Sequence, residues 1–238
     1  SGEVKEHAWW RLPEPGGESL AAGTPRTDGE WEEAIDVSLR TAVRRQLVSD
    51  VPLGAFLSGG VDSSLVVAAM GEARTFSIGF DDPSYNELAW SKRVATHLGV
   101  RHRVEVIRPD VVALFERLMH FMDDPIGDFS IFPTYLVSRL AREEVKVALS
   151  GDGGDEVFGG YETYVAQDKA RLWARIPGWV RHGMLQPAVS RLKPRPEKKG
   201  LINKARRFVE GLEHDPELEH ARFRLFVGNA LRRELFTD

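Results

Sequence analysis

The amino-acid sequence predicts an α/β protein: a parallel sheet with helices on both faces, followed by an all-helical carboxy-terminal part. Short apolar runs typical of buried strands alternate with amphipathic helical patterns up to about residue 160. Two glycine-rich acidic segments each follow directly on one of these runs, and beyond Tyr161 no strand pattern is found. Strands that are separated by helices imply right-handed crossovers, and therefore a parallel sheet that is covered on both faces.

The first thirty residues are predicted to form a surface arm rather than part of the core. They are rich in proline and glycine, as in Pro13–Gly17, and this composition favours turns. Trp9 and Trp10 are interpreted as packing anchors for the arm. Thr27 and Glu30 have the spacing of a capping box, which indicates the start of a helix.

The elements of the α/β part follow in order along the chain. Apolar spacing predicts an amphipathic helix from Trp31 to about Ser49. Later helices are expected at 87–98, closed by Gly99, and at 133–143, and Pro109 fits the first turn of the helix between them. The strands are expected at Leu53–Leu57, Thr75–Phe80, Arg103–Ile107 and Val145–Leu149.

Beyond Tyr161 the chain is predicted to be helical. The helical pattern is interrupted at Pro177, at Lys193–Gly200 and at Asp215–Pro216. Of these, Lys193–Gly200 is rich in proline and lysine and is expected to be an exposed connector. The sequence thus predicts an amino-terminal arm (1–30), an α/β domain (31–160) and a helical extension (161–238).

Composition restricts the classes of function. The chain has 238 residues, a net charge of −4 and no cysteine. The lack of cysteine excludes disulfides, thiolate metal sites and a cysteine nucleophile within this chain. The acidic balance argues against a nucleic-acid partner, and no apolar run approaches membrane-spanning length. A cytoplasmic protein without a membrane partner is expected.

Ser58–Ser64, here called the serine loop, carries the strongest functional signal. It has the sequence Ser-Gly-Gly-Val-Asp-Ser-Ser and lies between a predicted strand and a predicted helix. The glycines permit a tight turn, and a helix N-terminus that carries hydroxyl groups favours an anion. Asp62 would repel phosphate unless Mg²⁺ bridges the two. The pattern predicts a site for a metal-bound polyphosphate, with a capped structural turn as the alternative. The serine loop is not a Walker loop, because no Gly-Lys-Ser/Thr occurs in the chain.

Ser150–Glu156, here called the acidic loop, follows the fourth predicted strand. Asp152, Asp155 and Glu156 place three carboxylates within five residues, and such carboxylates repel each other unless a cation lies nearby. A calcium site and a solvated turn are the alternatives, although the spacing differs from that of an EF-hand. Because ligands bind at the carboxyl ends of parallel strands, we expect the two loops to share one ATP–Mg²⁺ site.

These segments resemble a known family. The serine loop resembles the pyrophosphatase-type loop (PP-loop) of ATP-dependent adenylating ligases and amidotransferases. The wider sequence, from about Trp31 to Tyr164, is similar to the synthetase domain of glutamine-dependent asparagine synthetases. In that family a Ser-Gly-acid-Gly-x-Asp-Glu segment leads into Gly-Gly-Tyr, as the acidic loop and Tyr161 do here.

The resemblance implies a role for each matching residue. The backbone at Phe56 and Ile78 would contact adenine. The remaining ATP-binding residues would be Ser58, Gly59, Gly60, Asp62, Ser63, Ser64, Ser150 and Gly151. Asp62 and Asp155 would hold Mg²⁺, and Asp152 and Tyr161 would be catalytic, although the family often has Glu in place of Asp152. Asp123–Asp128 also matches a family segment and is equally typical of a helix-ending turn.

The implied reaction is the adenylation of a carboxylate by ATP with release of AMP and pyrophosphate, aspartate being the favoured substrate and asparagine the product. Ammonia would come from a glutaminase domain whose cysteine nucleophile this chain lacks. The chain is therefore expected to be a fragment that is inactive or weakly active alone. A homodimer is compatible with the resemblance. Neither loop contains lysine or arginine, and the family's catalytic lysine would lie beyond Asp238.

Two other classes of function stay open at this stage. One is a different ligase on the same scaffold, such as a β-lactam synthetase-like cyclase or an amidotransferase that modifies peptides or sugars. The other is a nucleotide-binding domain without catalytic activity.

Overall fold

The computed structural model of the chain describes residues 4–9, 27–81, 86–108, 110–124, 128–193, 200–225 and 233–236. Its four strands form one parallel sheet in the order β3–β2–β1–β4. The strands are β1 (Leu53–Phe56), β2 (Arg74–Phe80), β3 (Arg101–Ile107) and β4 (Val147–Leu149). The predicted α/β class with a parallel sheet is confirmed.

Helices connect the strands and lie along the sheet. They are α1 (Asp28–Gln46), α2 (Val61–Met70), α3 (Leu88–Leu98), α4 (Val111–His120), α5 (Ile131–Arg142) and α6 (Gly154–Phe158). Two local signals are confirmed. Thr27 and Glu30 form the capping box, and Gly99 ends α3 with a φ of 65°.

The sheet has a hydrophobic core on each face. On one face, Ala55 and Leu57 pack with residues of α1, α2 and α3, including Val43, Val67 and Ala95. On the other face, Phe76 packs against Leu140 and Ala141 of α5 and against Val145. Because side chains alternate along a strand, neighbouring residues such as Ala55 and Phe56 serve opposite cores. The predicted covering of both faces is confirmed.

Beyond Tyr161, the regular elements that the structure describes are all helical. Its elements are α7 (Glu162–Trp173), α8 (Gly178–Val180), a π-helical turn (Arg181–Leu185), α9 (Gln186–Ser190), α10 (Leu201–Leu212) and a 3₁₀ segment (Pro216–Arg224). An aromatic cluster joins three of them: the rings of Trp173 and Phe208 lie 5.9 Å apart, and those of Phe208 and Phe223 lie 5.6 Å apart.

Several sequence-based details differ from the structure. Trp9 is 89% exposed, so its interpretation as a packing anchor is wrong, while Trp10 lies outside the described residues. The helix after β3 begins at Val111 with Asp110 as its N-cap, and Pro109 also lies outside the described residues. In the described part of the chain, no helix has both the length and the apolarity needed to cross a bilayer.

Candidate functional site

The serine loop and the acidic loop follow neighbouring strands of the sheet. Ala55 of β1 pairs with Leu149 of β4, and each strand then runs directly into its loop. The connection after β1 leads to β2 on one side, whereas β4 lies on the other side of β1. Such a reversal opens a crevice at the carboxyl ends of the strands, where ligands of open α/β sheets bind.

Two glycines of the acidic segment bring the loops into direct contact. A Cβ atom at Gly151 would lie 2.6 Å from the backbone nitrogen of Ser63, and one at Gly154 would lie 2.5 Å from the carboxyl carbon of Asp62. No side chain larger than hydrogen fits at these distances without movement of the backbone of α2 or of Asp62. The first turn of α2 is therefore packed against the acidic loop.

Hydroxyl groups hold the serine loop in shape. The hydroxyl oxygens of Ser58 and Ser63 lie 2.9 Å apart, and the Ser58 hydroxyl accepts a hydrogen bond of 3.1 Å from the N–H of Gly60. Ser64 donates a hydrogen bond of 2.6 Å to the carbonyl of Gly60. Gly59 has a φ of 85° and lies close to the backbone of α3, where a Cβ would come within 2.5 Å of the Ser91 nitrogen. The loop is thus tied both to itself and to a neighbouring helix.

The N-terminus of α2 has no side-chain cap. Gly60 is its N-cap and provides no side-chain oxygen, and within the described residues no other side chain caps this helix. The leading N–H groups of a helix have no partner inside the helix and carry the positive end of its dipole. An anion in the crevice would meet these N–H groups together with the serine hydroxyls.

Two left-handed glycines bound the helix that begins in the acidic loop. Gly153 has a φ of 90° and begins α6, and Gly159 has a φ of 67° and ends it. Within the loop, the Ser150 hydroxyl donates a hydrogen bond of 2.9 Å to Asp152. The Asp155 carboxylate is folded back so that a Cβ at Gly160 would lie 2.1 Å from its oxygen. The carboxylates of the loop therefore point in different directions.

The predicted metal ligands come from both loops. Asp62 contacts Gly154, the residue before Asp155, whereas the Asp155 carboxylate lies against Gly160. Among the described residues, no group of three or more His, Cys, Asp or Glu side chains is arranged to hold a metal ion. A metal at this site would need further oxygen ligands, such as phosphate oxygens and water, which is the usual situation for Mg²⁺.

Phe56 ends β1 and Ile78 lies in β2. Both side chains pack partly buried against the core cluster of Phe76, Leu140 and Val145. Their side chains are therefore engaged in the core, and the contact of their backbone with adenine stays a prediction.

An arginine that the sequence did not predict lies beside the acidic segment. The guanidinium carbon of Arg224 is 4.2 Å from the centre of the Tyr161 ring. Tyr161 in turn donates a hydrogen bond to the carboxylate of Glu156. Both loops lack basic residues, so local sequence could not place a cation here; the 3₁₀ segment brings it in by packing against α7.

Electrostatics couples these three side chains. The hydrogen bond from Tyr161 lowers the pKa of Glu156, and the nearby Arg224 cation acts in the same direction. The hydrogen bond to the Glu156 carboxylate raises the pKa of Tyr161, while Arg224 opposes that rise. At neutral pH the group therefore consists of a carboxylate, a neutral phenol and a guanidinium.

Asp123 and Asp124 follow the end of α4, as expected for a helix-ending turn. Asp128 accepts a hydrogen bond of 2.9 Å from the N–H of Ser130, just before α5. Residues 125–127 lie outside the described residues. The role of this segment in the site stays a prediction.

Comparison with known proteins identifies the family. The family model described as asparagine synthase matches residues 34–231, which is most of the chain. The chain belongs to the asparagine synthase family. The match to the family covers both loops, so it confirms the resemblance on which the residue assignments are based, although it tests none of those assignments individually.

Relatives within the family include proteins from archaea and bacteria. A Methanocaldococcus jannaschii protein, provisionally named asparagine synthetase (glutamine-hydrolyzing) 2, is 43% identical over 188 residues, covering 75% of this chain and 35% of the relative. Asparagine synthetase (glutamine-hydrolyzing) 1 of Bacillus subtilis is 39% identical over 165 residues, covering 67% of this chain and 25% of the relative. The chain thus spans a quarter to about a third of the length of these relatives.

Similarity to solved structures is weaker. The NH3-dependent NAD synthetase of Campylobacter jejuni is 13% identical, with a TM-score of 0.35 over 54% of this chain and 60% of that chain. A TM-score of this size is too low to support a functional argument.

Proposed function

We propose that this chain is the adenylating part of an asparagine synthetase, which binds Mg²⁺–ATP in the crevice between β1 and β4 and activates the side-chain carboxylate of aspartate. The observation that carries the proposal is the direct contact of the two loops. Gly151 and Gly154 lie against Asp62 and Ser63 in a chain of the asparagine synthase family. This contact builds one site from two segments that are far apart in the sequence.

The serine loop would hold the pyrophosphate end of ATP. Its open N–H groups and its hydroxyls on Ser58, Ser63 and Ser64 are donors for phosphate oxygens. Donors that are already fixed in position stabilise the negative charge that develops on leaving pyrophosphate without reorganising during the reaction. The 2.9 Å contact between Ser58 and Ser63 supports such fixed positions.

Asp62 and Asp155 would hold the magnesium ion. Carboxylate oxygens are the hard ligands that Mg²⁺ prefers, and one or two of them combined with substrate phosphates form its usual environment. When bound, the ion would neutralise part of the charge on the triphosphate. The position of Asp62 supports this role, since it belongs to the first turn of α2 and also touches the acidic segment.

The proposed reaction has two balanced steps. An oxygen of the aspartate carboxylate attacks the α-phosphorus of ATP, and the bond from this phosphorus to the bridging oxygen breaks, releasing pyrophosphate. Ammonia then attacks the activated carbonyl carbon, AMP leaves, and the nitrogen loses a proton. Asp152 is exposed, and it would accept that proton.

Arg224 would supply a positive charge that the loops themselves lack. Aspartate and ATP are both anions, so their approach to three loop carboxylates is opposed by charge repulsion. Arg224 lies against Tyr161 and offsets the charge of Glu156. It would therefore keep Tyr161 in place at the rim of the site.

Ammonia would come from a glutaminase domain outside this chain, because the chain has no cysteine to act as a glutaminase nucleophile. A cytoplasmic location and a homodimer, both suggested by the family resemblance, are also part of the proposal.

Calorimetry with ATP tests the binding half of the proposal. Asp62→Asn is expected to weaken the affinity for ATP in the presence of Mg²⁺ by about tenfold or more, the scale of one lost charge-assisted contact. Without Mg²⁺, Asp62→Asn should bind ATP at least as tightly as the wild type does. Asp50→Asn, an exposed substitution before β1, is the matched control and should change neither value. Equal affinities for wild type and Asp62→Asn under both conditions would refute the metal-bridging role.

Exchange of radiolabelled pyrophosphate into ATP tests the chemistry. Aspartate is expected to stimulate exchange by this chain more than other carboxylic acids do. Stimulation by a different acid would move the protein to another ligase of the same family. Binding of ATP without exchange for any acid would show that this chain alone does not adenylate.

A further inference from the structure

A second charged site lies at the opposite end of the sheet from the two loops. Arg74 begins β2 and Arg101 begins β3, and the two residues are register partners. Partners in adjacent parallel strands lie about 4.8 Å apart and point to the same face. Since β2 has seven residues, this end of the sheet is about 20 Å from the crevice.

These arginines lie on the face that α5 covers. Phe76, two residues after Arg74, packs against Leu140 and Ala141 of that helix. Residues two apart in a strand share a face, so Arg74, Arg101 and Arg103 form one basic cluster beneath the end of α5. A depression of about 310 Å³ opens there.

The charges in this cluster are unevenly matched. Arg103 forms ion pairs with Glu143 and with Glu144, the latter at 3.1 Å. The side chains of Arg74 and Arg101 are exposed, and among the described residues neither has a hydrogen-bonded or ion-paired partner. Like charges placed directly opposite each other in a sheet are destabilising. Glu144 lines the same depression but is paired with Arg103, so the charges of Arg74 and Arg101 favour an added anion.

On the opposite face of the same strand ends, His102 does not contribute a cation. Thr75 and His102 are also register partners, and their side chains lie 2.8 Å apart. Burial lowers the pKa of His102, and the nearby Lys92 cation acts in the same direction. The cation on that face is therefore Lys92, whereas the positive charge on the face that α5 covers belongs to the arginines.

We propose that Arg74 and Arg101, with Arg103 behind them, bind a small dianion that carries phosphate or carboxylate groups, at a site separate from the crevice. Guanidinium groups bind both kinds of oxyanion through paired N–H donors. Arg103 also lines the depression, but its two terminal nitrogens are engaged by Glu143 and Glu144. The adjacent Arg74 and Arg101 provide the two charges that a dianion would neutralise.

Titration of the 238-residue chain with inorganic phosphate, and separately with succinate, tests the proposal. Binding of at least one anion is expected, and Arg74→Gln combined with Arg101→Gln should weaken it by about tenfold or more. Arg175→Gln, which removes an exposed arginine of the helical part, is the matched control and should bind like the wild type. Binding of phosphate alone would identify a phosphate site, and binding of succinate alone a carboxylate site.

Amide NMR spectra recorded during the same titrations locate the anion. Shifts are expected at residues 74–76 and 101–103. Shifts confined to residues 58–64, or affinity unchanged in the double variant, would overturn the proposal, as would no binding of either anion. If the double variant does not fold, Arg74→Lys keeps the charge but removes the paired donors, and it should bind the anion several-fold more weakly.

Discussion

Arg224 lies over the ring of Tyr161, with its guanidinium carbon 4.2 Å from the ring centre, while the Tyr161 hydroxyl donates to Glu156. The 3₁₀ segment that carries Arg224 is thereby tied to the residue that follows the acidic loop. A cation over an aromatic face contributes roughly 0.5–1 kcal/mol at an exposed position. The contact therefore orients the segment more than it stabilises the fold.

The first prediction concerns the pKa of Tyr161. Glu156→Gln is expected to lower it, because the carboxylate that favours the protonated phenol is lost. Arg224→Leu is expected to raise it further, because the cation that favours the ionised phenol is lost. Titration of the tyrosine ring carbons by NMR measures both changes, with Tyr161→Phe used to assign the signal.

Variants of the same three residues also test the pKa of Glu156. Its pKa is lowered by folding, so any stability it contributes is present above the ordinary pKa of glutamate and is lost as the pH falls through the lower folded value. Tyr161→Phe should therefore return the pKa of Glu156 toward its ordinary value. Arg171→Leu, whose partner is Asp168, is the control and should change neither pKa. A higher Tyr161 pKa in Glu156→Gln, or a lower one in Arg224→Leu, would contradict the arrangement.

The second prediction tests the contact between the loops. Gly151→Ala places a methyl group 2.6 Å from the backbone nitrogen of Ser63, and the backbone cannot move away as a flexible side chain could. We expect a loss of about 1–3 kcal/mol in the free energy of unfolding. Gly29→Ala is the control, because its methyl group meets nothing within 4 Å and lies in α1. The free energy of unfolding of this control should rise by up to about 1 kcal/mol. Urea denaturation measures both, and equal stability of the two variants would show that the loops are not in contact.

Local signals made much of the fold predictable. The capping box of Thr27 and Glu30 and the left-handed Gly99 each depend on a few adjacent residues, and both are confirmed. The ends of strands were less certain. β3 begins at Arg101, two residues before the predicted start, because charged residues at the open end of a strand hide the apolar pattern. The apolar pattern predicts β4 from Val145, but Val145 packs as a core residue after α5, and the strand begins at Val147.

The site was predictable only in part. Glycine-rich segments after strands indicated that the loops face one edge of the sheet, because parallel strands end together. That β1 and β4 are neighbours could not be read from the sequence, since pairing depends on the packing of the whole sheet. Arg224 could not be found either, because its position beside Tyr161 results from contacts among helices that carry no local motif.

The third prediction separates two carboxylates of the acidic loop. Asp155→Asn is expected to weaken the binding of Mg²⁺–ATP, since Asp155 is proposed to hold the metal ion. Asp152→Asn should leave that affinity near the wild-type value but slow asparagine formation when ammonia is supplied, because Asp152 is proposed to act after ATP has bound. Calorimetry and a product assay measure the two effects. Equal losses of ATP affinity in both variants would remove the distinction.

The fourth prediction concerns a buried charge in the helical part. Arg222 is only 7% exposed, and among the described residues no carboxylate lies within ion-pair distance of it. It donates a hydrogen bond of 3.0 Å to Gln167, and its Nε atom has no partner in the described structure. Burial accordingly lowers the pKa of Arg222. A buried charge without a counter-charge costs stability, so a carboxylate at position 167 should help.

Gln167→Glu is therefore expected to raise the free energy of unfolding at pH 7 by about 1 kcal/mol, the gain from making one hydrogen bond charge-assisted on both sides. Gln167→Met removes the acceptor and should cost about 1–3 kcal/mol. The gain in stability requires that the new carboxylate at position 167 is ionised. Because Arg222 lowers the pKa of that carboxylate, the gain should be lost as the pH falls through the lowered pKa. Arg222→Met, which removes the charge, should be neutral or stabilising. Urea denaturation at pH 7 and at pH 3 distinguishes these outcomes. Lower stability of Gln167→Glu than of Gln167→Met at pH 7 would mean that Arg222 already has a counter-charge, since a second carboxylate would then be repelled.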